Sequence, residues 1–168
     1  MLDINNIKIV KYSQEDIPQM MEVWNEVVDA GNAFPEIKPY TLDKAEKMFA
    51  SQTYCGVAKD TSTGKIYGVY DQHPNLSGRS GHIANGSYAV SKDSRGLHIG
   101  EKLVLDSIQQ AKKNGFRILQ FNAVVKSNIH AIHLYERIGF ERIGLIKGGF
   151  KNKSDQFEDM YIYAFYIS

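Results

Sequence analysis

Apolar residues recur along the chain in two rhythms. Residues 7–11 alternate apolar and polar as a strand does, whereas Ile17, Met20, Met21, Trp24, Val27 and Val28 recur at helical spacing. Ser13 stands where it caps that helix, Asp16 puts a carboxylate in its first turn, and Pro18 is tolerated there because first-turn N–H groups lack partners anyway. Gly31 and Asn32 end it. Residues 33–40, with Pro35 and Pro39, read as an irregular loop, and Thr41 caps a second helix to residue 51. Residues 54–59 and 65–70 read as a strand pair joined by the turn formers of 60–64. Residues 73–81 are a second loop and 82–91 a long strand. A helix over 97–114 is closed by Gly115 in the left-handed stop position. A strand over 116–125 and a short helix over 128–138, stopped by Gly139, follow. Residues 140–147 and 157–166 are the last strands, with a polar turn region at 148–156.

The order β-α-α-β-β-β-α-β-α-β-β predicts one α/β (α+β) domain, a mixed, twisted sheet with helices on both faces. Residues 82–125 form a strand–helix–strand crossover, so its two strands are expected to be parallel neighbours.

Composition narrows the function classes. At 168 residues the chain has the size of one domain, and 43% apolar with 23% charged residues is globular, not disordered. A net charge of +1 provides no bulk field for nucleic acid or an anionic membrane. No apolar run approaches the roughly 18 residues that span a bilayer, and the first residues lack the basic-then-apolar pattern of a signal peptide. The single cysteine, Cys55, has no partner for an intrachain disulfide and reads as a core residue of its strand. These features point to a cytoplasmic protein.

The chemistry-bearing segment is Arg95-Gly96-Leu97-His98-Ile99-Gly100, a glycine turn between a strand ending near Ser91 and a helix. The first turn of a helix has N–H groups without internal partners and a dipole that favours anions, so the element suits a pyrophosphate; it equally suits a plain tight turn. No grouping of residues suggests a metal site.

This segment is similar to the [QR]-x-x-G-x-[GA] pattern of the GNAT N-acetyltransferase superfamily, and Asn128, Ala131, Tyr135, Gly139 and Phe140 fit that family's N-x-x-A-x-x-x-Y-x-x-x-G-F pattern. The resemblance implies the GNAT acyl-CoA N-acyltransferase fold, acetyl-CoA as cosubstrate, and direct attack by an amine with no acyl-enzyme. It places pyrophosphate on the N–H groups of Arg95, Gly96, Leu97, His98, Ile99, Gly100 and Glu101, and pantetheine along Ala89, Val90 and Ser91, with an N–H near Val90 as oxyanion donor. Asn128 contacts CoA or caps its helix. Tyr135 is the general acid for the CoA thiolate. His98 departs from the family's glycine: either it keeps an ordinary helical φ with its ring outward, or its imidazole joins the phosphate site.

A narrower resemblance covers residues 73–148. His73-Pro74-Asn75-Leu76-Ser77-Gly78-Arg79, then His82 to Asn85, then Phe121, Asn122 and the run to Asn128, look like fungal acetyltransferases of proline analogues such as azetidine-2-carboxylate. In those, asparagines at the positions of Asn85 and Asn122 lie at the substrate. Phe34 and Tyr40 are candidates for an apolar wall and Arg79 for a carboxylate partner. Many family members use a glutamate base on the strand before the pyrophosphate turn, but residues 81–92 contain no Asp or Glu, which leaves His82, or ordered water oriented by Asn85 and Asn122. The leading expectation is acetyl transfer to a small-molecule amine. Protein N-terminal or lysine acetylation and a non-catalytic acyl-CoA sensor are the alternatives. The aromatic tail 157–166 either completes the sheet or forms a homodimer interface.

Overall fold

A computed structural model describes residues 4–168. It contains β1 (Ile7–Lys11), α1 (Ile17–Ala30), α2 (Leu42–Ala50), β2 (Tyr54–Asp60), β3 (Ile66–Pro74), β4 (Ile83–Val90), α3 (Ile99–Lys113), β5 (Ile118–Val125), α4 (Ile129–Ile138), β6 (Glu141–Lys151) and β7 (Phe157–Tyr166). The order is the one the hydrophobic rhythm predicts.

Local chemistry sets the boundaries. The Ser13 N–H donates to Asp16 Oδ2 at 2.9 Å, closing the entry to α1, and Gly31 ends that helix at φ 66°. The Thr41 hydroxyl accepts the Lys44 N–H and starts α2. Asn128 caps α4 by accepting the Ala131 N–H at 3.4 Å, and Gly139 ends it at φ 112°.

The seven strands lie in the order β1-β2-β3-β4-β5-β7-β6. All neighbours are antiparallel except β4 and β5, which are parallel as the crossover requires. β7 sits between β5 and β6, so the aromatic tail completes the sheet.

Strand alternation divides the core between two faces. On one face α1 and α2 bury Met20, Trp24 and Phe49 against Val57, Val69 and Ala89. On the other, α3 buries Ile99 and Leu103 against Tyr67 and Tyr70, and Val104 and Ala111 against Ala84 and Leu119. Cys55 is buried and free, as its strand position implies.

β4 and β5 do not stay together. They pair only over Ile83↔Ile118, Ala84↔Leu119 and Asn85↔Gln120, although β4 continues to Val90 and β5 to Val125. The sheet therefore opens between the C-terminal halves of its two central parallel strands. The chain runs from the end of β4 into α3 and from the end of β5 into α4, so both helices begin at the open end.

Candidate functional site

The opening exposes main-chain polar groups. The Ser91 N–H donates to the Tyr67 carbonyl at 2.9 Å, which fixes the odd-numbered residues of β4 toward β3. Tyr88 and Val90 consequently turn their N–H and C=O groups into the split, where no strand meets them. Ser91 spends its N–H inside the sheet, which leaves Val90 as the open donor of the Ala89–Val90–Ser91 trio. At the branch point, Asn85 Oδ1 accepts the Gly86 N–H at 2.7 Å, satisfying the first donor that β5 abandons.

The turn after β4 is fastened from below. The Ser94 hydroxyl donates to the Ser91 carbonyl at 3.0 Å and lies 3.3 Å from the Tyr67 carbonyl. Glu26 of α1 accepts the Lys92 N–H at 2.8 Å. Within the turn, Gly96 has φ 81° and His98 φ 57°. His98 thus takes the left-handed backbone a glycine would take, which corrects the expectation of an ordinary helical φ. Its ring is 72% exposed, and Nδ1 lies 3.4 Å from Glu101 Oε2. The histidine keeps the family turn by bearing the strain of positive φ and swinging its imidazole outward.

The first intrahelical bond of α3 runs from the Lys102 N–H to the His98 carbonyl at 3.2 Å. Among the described residues, the N–H groups of Gly96, His98, Ile99, Gly100 and Glu101 have no acceptor. Those of Arg95 and Leu97 already bond the Lys92 and Ser94 carbonyls. The start of α4 differs: Asn128 and Ile129 donate to the Val125 and Ser127 carbonyls, and Ala131 to the Asn128 side chain. Of the two helices that begin at the open end, α3 offers a run of unused donors, the geometry that binds an anion. Arg137 of α4 pairs with Glu101 at 2.9 Å, offsetting the one carboxylate near those donors.

Tyr135 projects from α4 into the split. Its ring centroid lies 4.7 Å from that of Phe121 on β5 and 6.5 Å from that of Tyr88 on β4. The hydroxyl makes no hydrogen bond among the described residues, and burial raises its pKa above the ordinary tyrosine value. It stays protonated at neutral pH and has a proton to give.

On the α1 face of the sheet, polar side chains form a floor across three strands. His73, Asn85 and Gln120 are cross-strand neighbours, and Asp71 and Ser87 form the next row. Beyond them Asn122 donates to Asn75 Oδ1 at 2.6 Å and accepts Gln120 Nε2 at 2.9 Å. Asn85 and Asn122 thus share one face beside the split.

Two of the expected site residues lie outside the split. His82 is exposed just before β4, its carbonyl accepting the Arg117 N–H, and lines a shallow cavity with Arg117, Ile118 and Tyr166. That is the closed end of the β4–β5 pair, about 20 Å along the strand from Tyr88. His82 therefore does not line the split. Phe34 is 8% exposed with its ring centroid 4.5 Å from that of Trp24, so it fills the core rather than walling an open pocket. Asp71 and Glu26 were missed. The signal for Asp71 was an acid among the apolar residues of β3; Glu26 left none, since only the folded chain brings it to Lys92.

Residues 19–140 match the Acetyltransferase (GNAT) family. The N-acetyltransferase aca1 of Schizosaccharomyces pombe is 30% identical, over 94% of this chain and 83% of that protein. An N-acetyltransferase structure from Kribbella flavida superposes with a TM-score of 0.89 at 27% identity, covering 98% of this chain and 99% of that one. The yncA structure from Salmonella typhimurium, solved with acetyl-CoA, shares the fold at a TM-score of 0.89 and 17% identity, over 97% and 95% of the two chains. A split sheet with a free-donor turn at its open end, together with these matches, establishes that the chain belongs to the GNAT acetyltransferase family and is an acetyl-CoA-dependent N-acetyltransferase.

Proposed function

We propose that the protein transfers acetyl from acetyl-CoA to an amine of a small molecule by direct attack. The observation that carries this reading is the combination of unused donors at Gly96 and His98–Glu101 with the unpaired Tyr88 and Val90 main chain in the split. The first set suits a diphosphate and the second an extended pantetheine, as a strand edge suits an added strand. Val90 N–H is the fixed donor to a developing oxyanion. Tyr135 protonates the departing thiolate, and Cys55, buried with its thiol pushed up by burial, forms no acyl-enzyme. Asn85 and Asn122 orient the amine on the polar floor. The likeness of residues 73–148 to fungal acetyltransferases of proline analogues supports a small molecule over a protein tail.

The exposed apolar residues Ile143, Leu145 and Ile146 of β6 support a homodimer through that strand, which light scattering tests.

Calorimetric titration with acetyl-CoA, followed by thiol release with proline analogues, amino acids and polyamines, tests the reading. Saturable binding and turnover on one of these are expected. Binding without turnover on any small amine, but with turnover on a peptide N-terminus or lysine, would replace the substrate class.

A further inference from the structure

The reaction proposed above needs a group that takes a proton from the amine, and His82 does not reach the split. Asp71 of β3 does face the polar floor. It is 6% exposed, and its Oδ1 accepts the Ser87 N–H of β4 at 2.7 Å. A Cβ on neighbouring Gly86 would lie 2.7 Å from the Asp71 carbonyl oxygen, so glycine is what lets β3 and β4 close together beside this carboxylate. Among the described residues, no ion pair includes Asp71. An acid buried without a cation is costly to keep ionised.

A second carboxylate lies near the first. Glu36, from the segment between α1 and α2, accepts the Tyr40 hydroxyl with Oε1 at 2.8 Å, while its Oε2 is buried with no partner. Glu36 is close enough to Asp71 to push its carboxyl up.

Resting on the acetyl-transfer reading, we propose that Asp71 is the general base, its carboxylate taking a proton from the cationic amine before attack. The amine nitrogen then forms its bond to the thioester carbon. As the tetrahedral adduct collapses, the C–S bond breaks and the sulfur takes the Tyr135 proton. The nitrogen loses its second proton, which restores the Tyr135 hydroxyl, and Asp71 returns the first to water. One proton is released per amide formed from an ammonium.

The titratable groups facing Asp71 are Glu36 and Tyr40 from the segment before α2, Cys55 of β2, His73 of β3 and Tyr88 of β4. Burial dominates and pushes the Asp71 carboxyl up to about 6. The Ser87 N–H and His73 oppose that rise, and Glu36 adds to it. The base form is present above that pH.

The test is kcat/KM against pH for the unmodified enzyme and for Asp71→Asn, which keeps an oxygen for the Ser87 N–H. Azetidine-2-carboxylate, methionine and putrescine serve as amines, with acetyl-CoA affinity measured alongside. The unmodified enzyme should gain activity through an ionisation near pH 6. Asp71→Asn should lose at least about a hundredfold in kcat/KM, lose that ionisation, and bind acetyl-CoA unchanged. An unmodified profile without that ionisation, or a folded Asp71→Asn with unchanged kcat/KM, overturns the assignment and leaves the acetyl-transfer reading intact. No turnover of any of the three amines by the unmodified enzyme, despite acetyl-CoA binding, removes both.

Discussion

At the scale of single residues, two side chains separate stability from chemistry. Tyr135 lies among Phe121, Phe140 and Tyr163, and its hydroxyl bonds none of the described residues, so its ring packs while its oxygen is uncommitted. Tyr135→Phe keeps the packing and removes the proposed proton donor. It should lower kcat by about a hundredfold or more while leaving acetyl-CoA affinity unchanged, as steady-state kinetics beside calorimetry will show. Unchanged kcat would remove Tyr135 from the mechanism. His98 carries the opposite balance. Its φ of 57° strains a residue with a Cβ by about 1–2 kcal/mol, part of which is offset because glycine loses more entropy on folding. His98→Gly should therefore stabilise the fold by about 0.5–1 kcal/mol in denaturant unfolding and keep acetyl-CoA binding. His98→Val should destabilise it. A loss of acetyl-CoA affinity in His98→Gly would instead give the imidazole a place on the diphosphate.

At the scale of elements, α3 matters because its first turn holds the free donors, and three sheet side chains fix its position. The Tyr70 hydroxyl donates to Asp106 at 2.7 Å, Gln72 Nε2 donates to the Ser107 carbonyl at 3.0 Å, and the Tyr88 and Ser107 hydroxyls lie 2.6 Å apart. All three meet α3 near its middle, so they set its rotation and its depth against the split. Ser107→Ala leaves the Tyr88 hydroxyl without its partner in a buried setting and should cost about 1–3 kcal/mol. Thermal melts read this as a lower Tm, and a weaker Kd for acetyl-CoA should accompany it because the donor turn loses its anchor. The element order and most caps were legible in the sequence, since periodicity and turn residues act locally. The misplaced ends have local causes too. α3 starts at Ile99 rather than residue 97 because His98 is left-handed, and β6 runs to Lys151 because a register shift between Ile146 and Phe150 carries the strand through Gly148. What was not legible depends on register across strands. Asp71 meets Ser87, and Asn85 meets Gln120, only once β3, β4 and β5 are side by side. The place of His82 was hidden for the same reason: the absence of Asp or Glu in residues 81–92 singled it out, and only the register of β4 against β5 shows that it stands at the closed end.

At the scale of the whole molecule, the sheet is two units, β1-β2-β3-β4 and β5-β7-β6, joined by three residue pairs and bridged by α3. α3 contributes Ile99 and Leu103 to the core of the first unit and Val104 and Ala111 to that of the second. If acetyl-CoA seats in the split as proposed, it touches both units, with donors from α3 on one side and Tyr135 of α4 on the other. It should therefore stabilise the molecule as a strut as well as by mass action. At a hundredfold excess over Kd the linkage is about 2.7 kcal/mol, which for a chain of this length raises Tm by roughly 5–10 °C. Hydrogen exchange distinguishes the strut from a uniform gain. Below saturation of the global effect, slowed exchange should concentrate at Tyr88, Val90 and the first turn of α3, and in β5 beyond Gln120, while β1 and β2 change little. Equal slowing across β1 to β4, with none in β5, would mean that acetyl-CoA rests on one unit only, and the split would then be a feature of the fold without being the place where the cosubstrate bridges it.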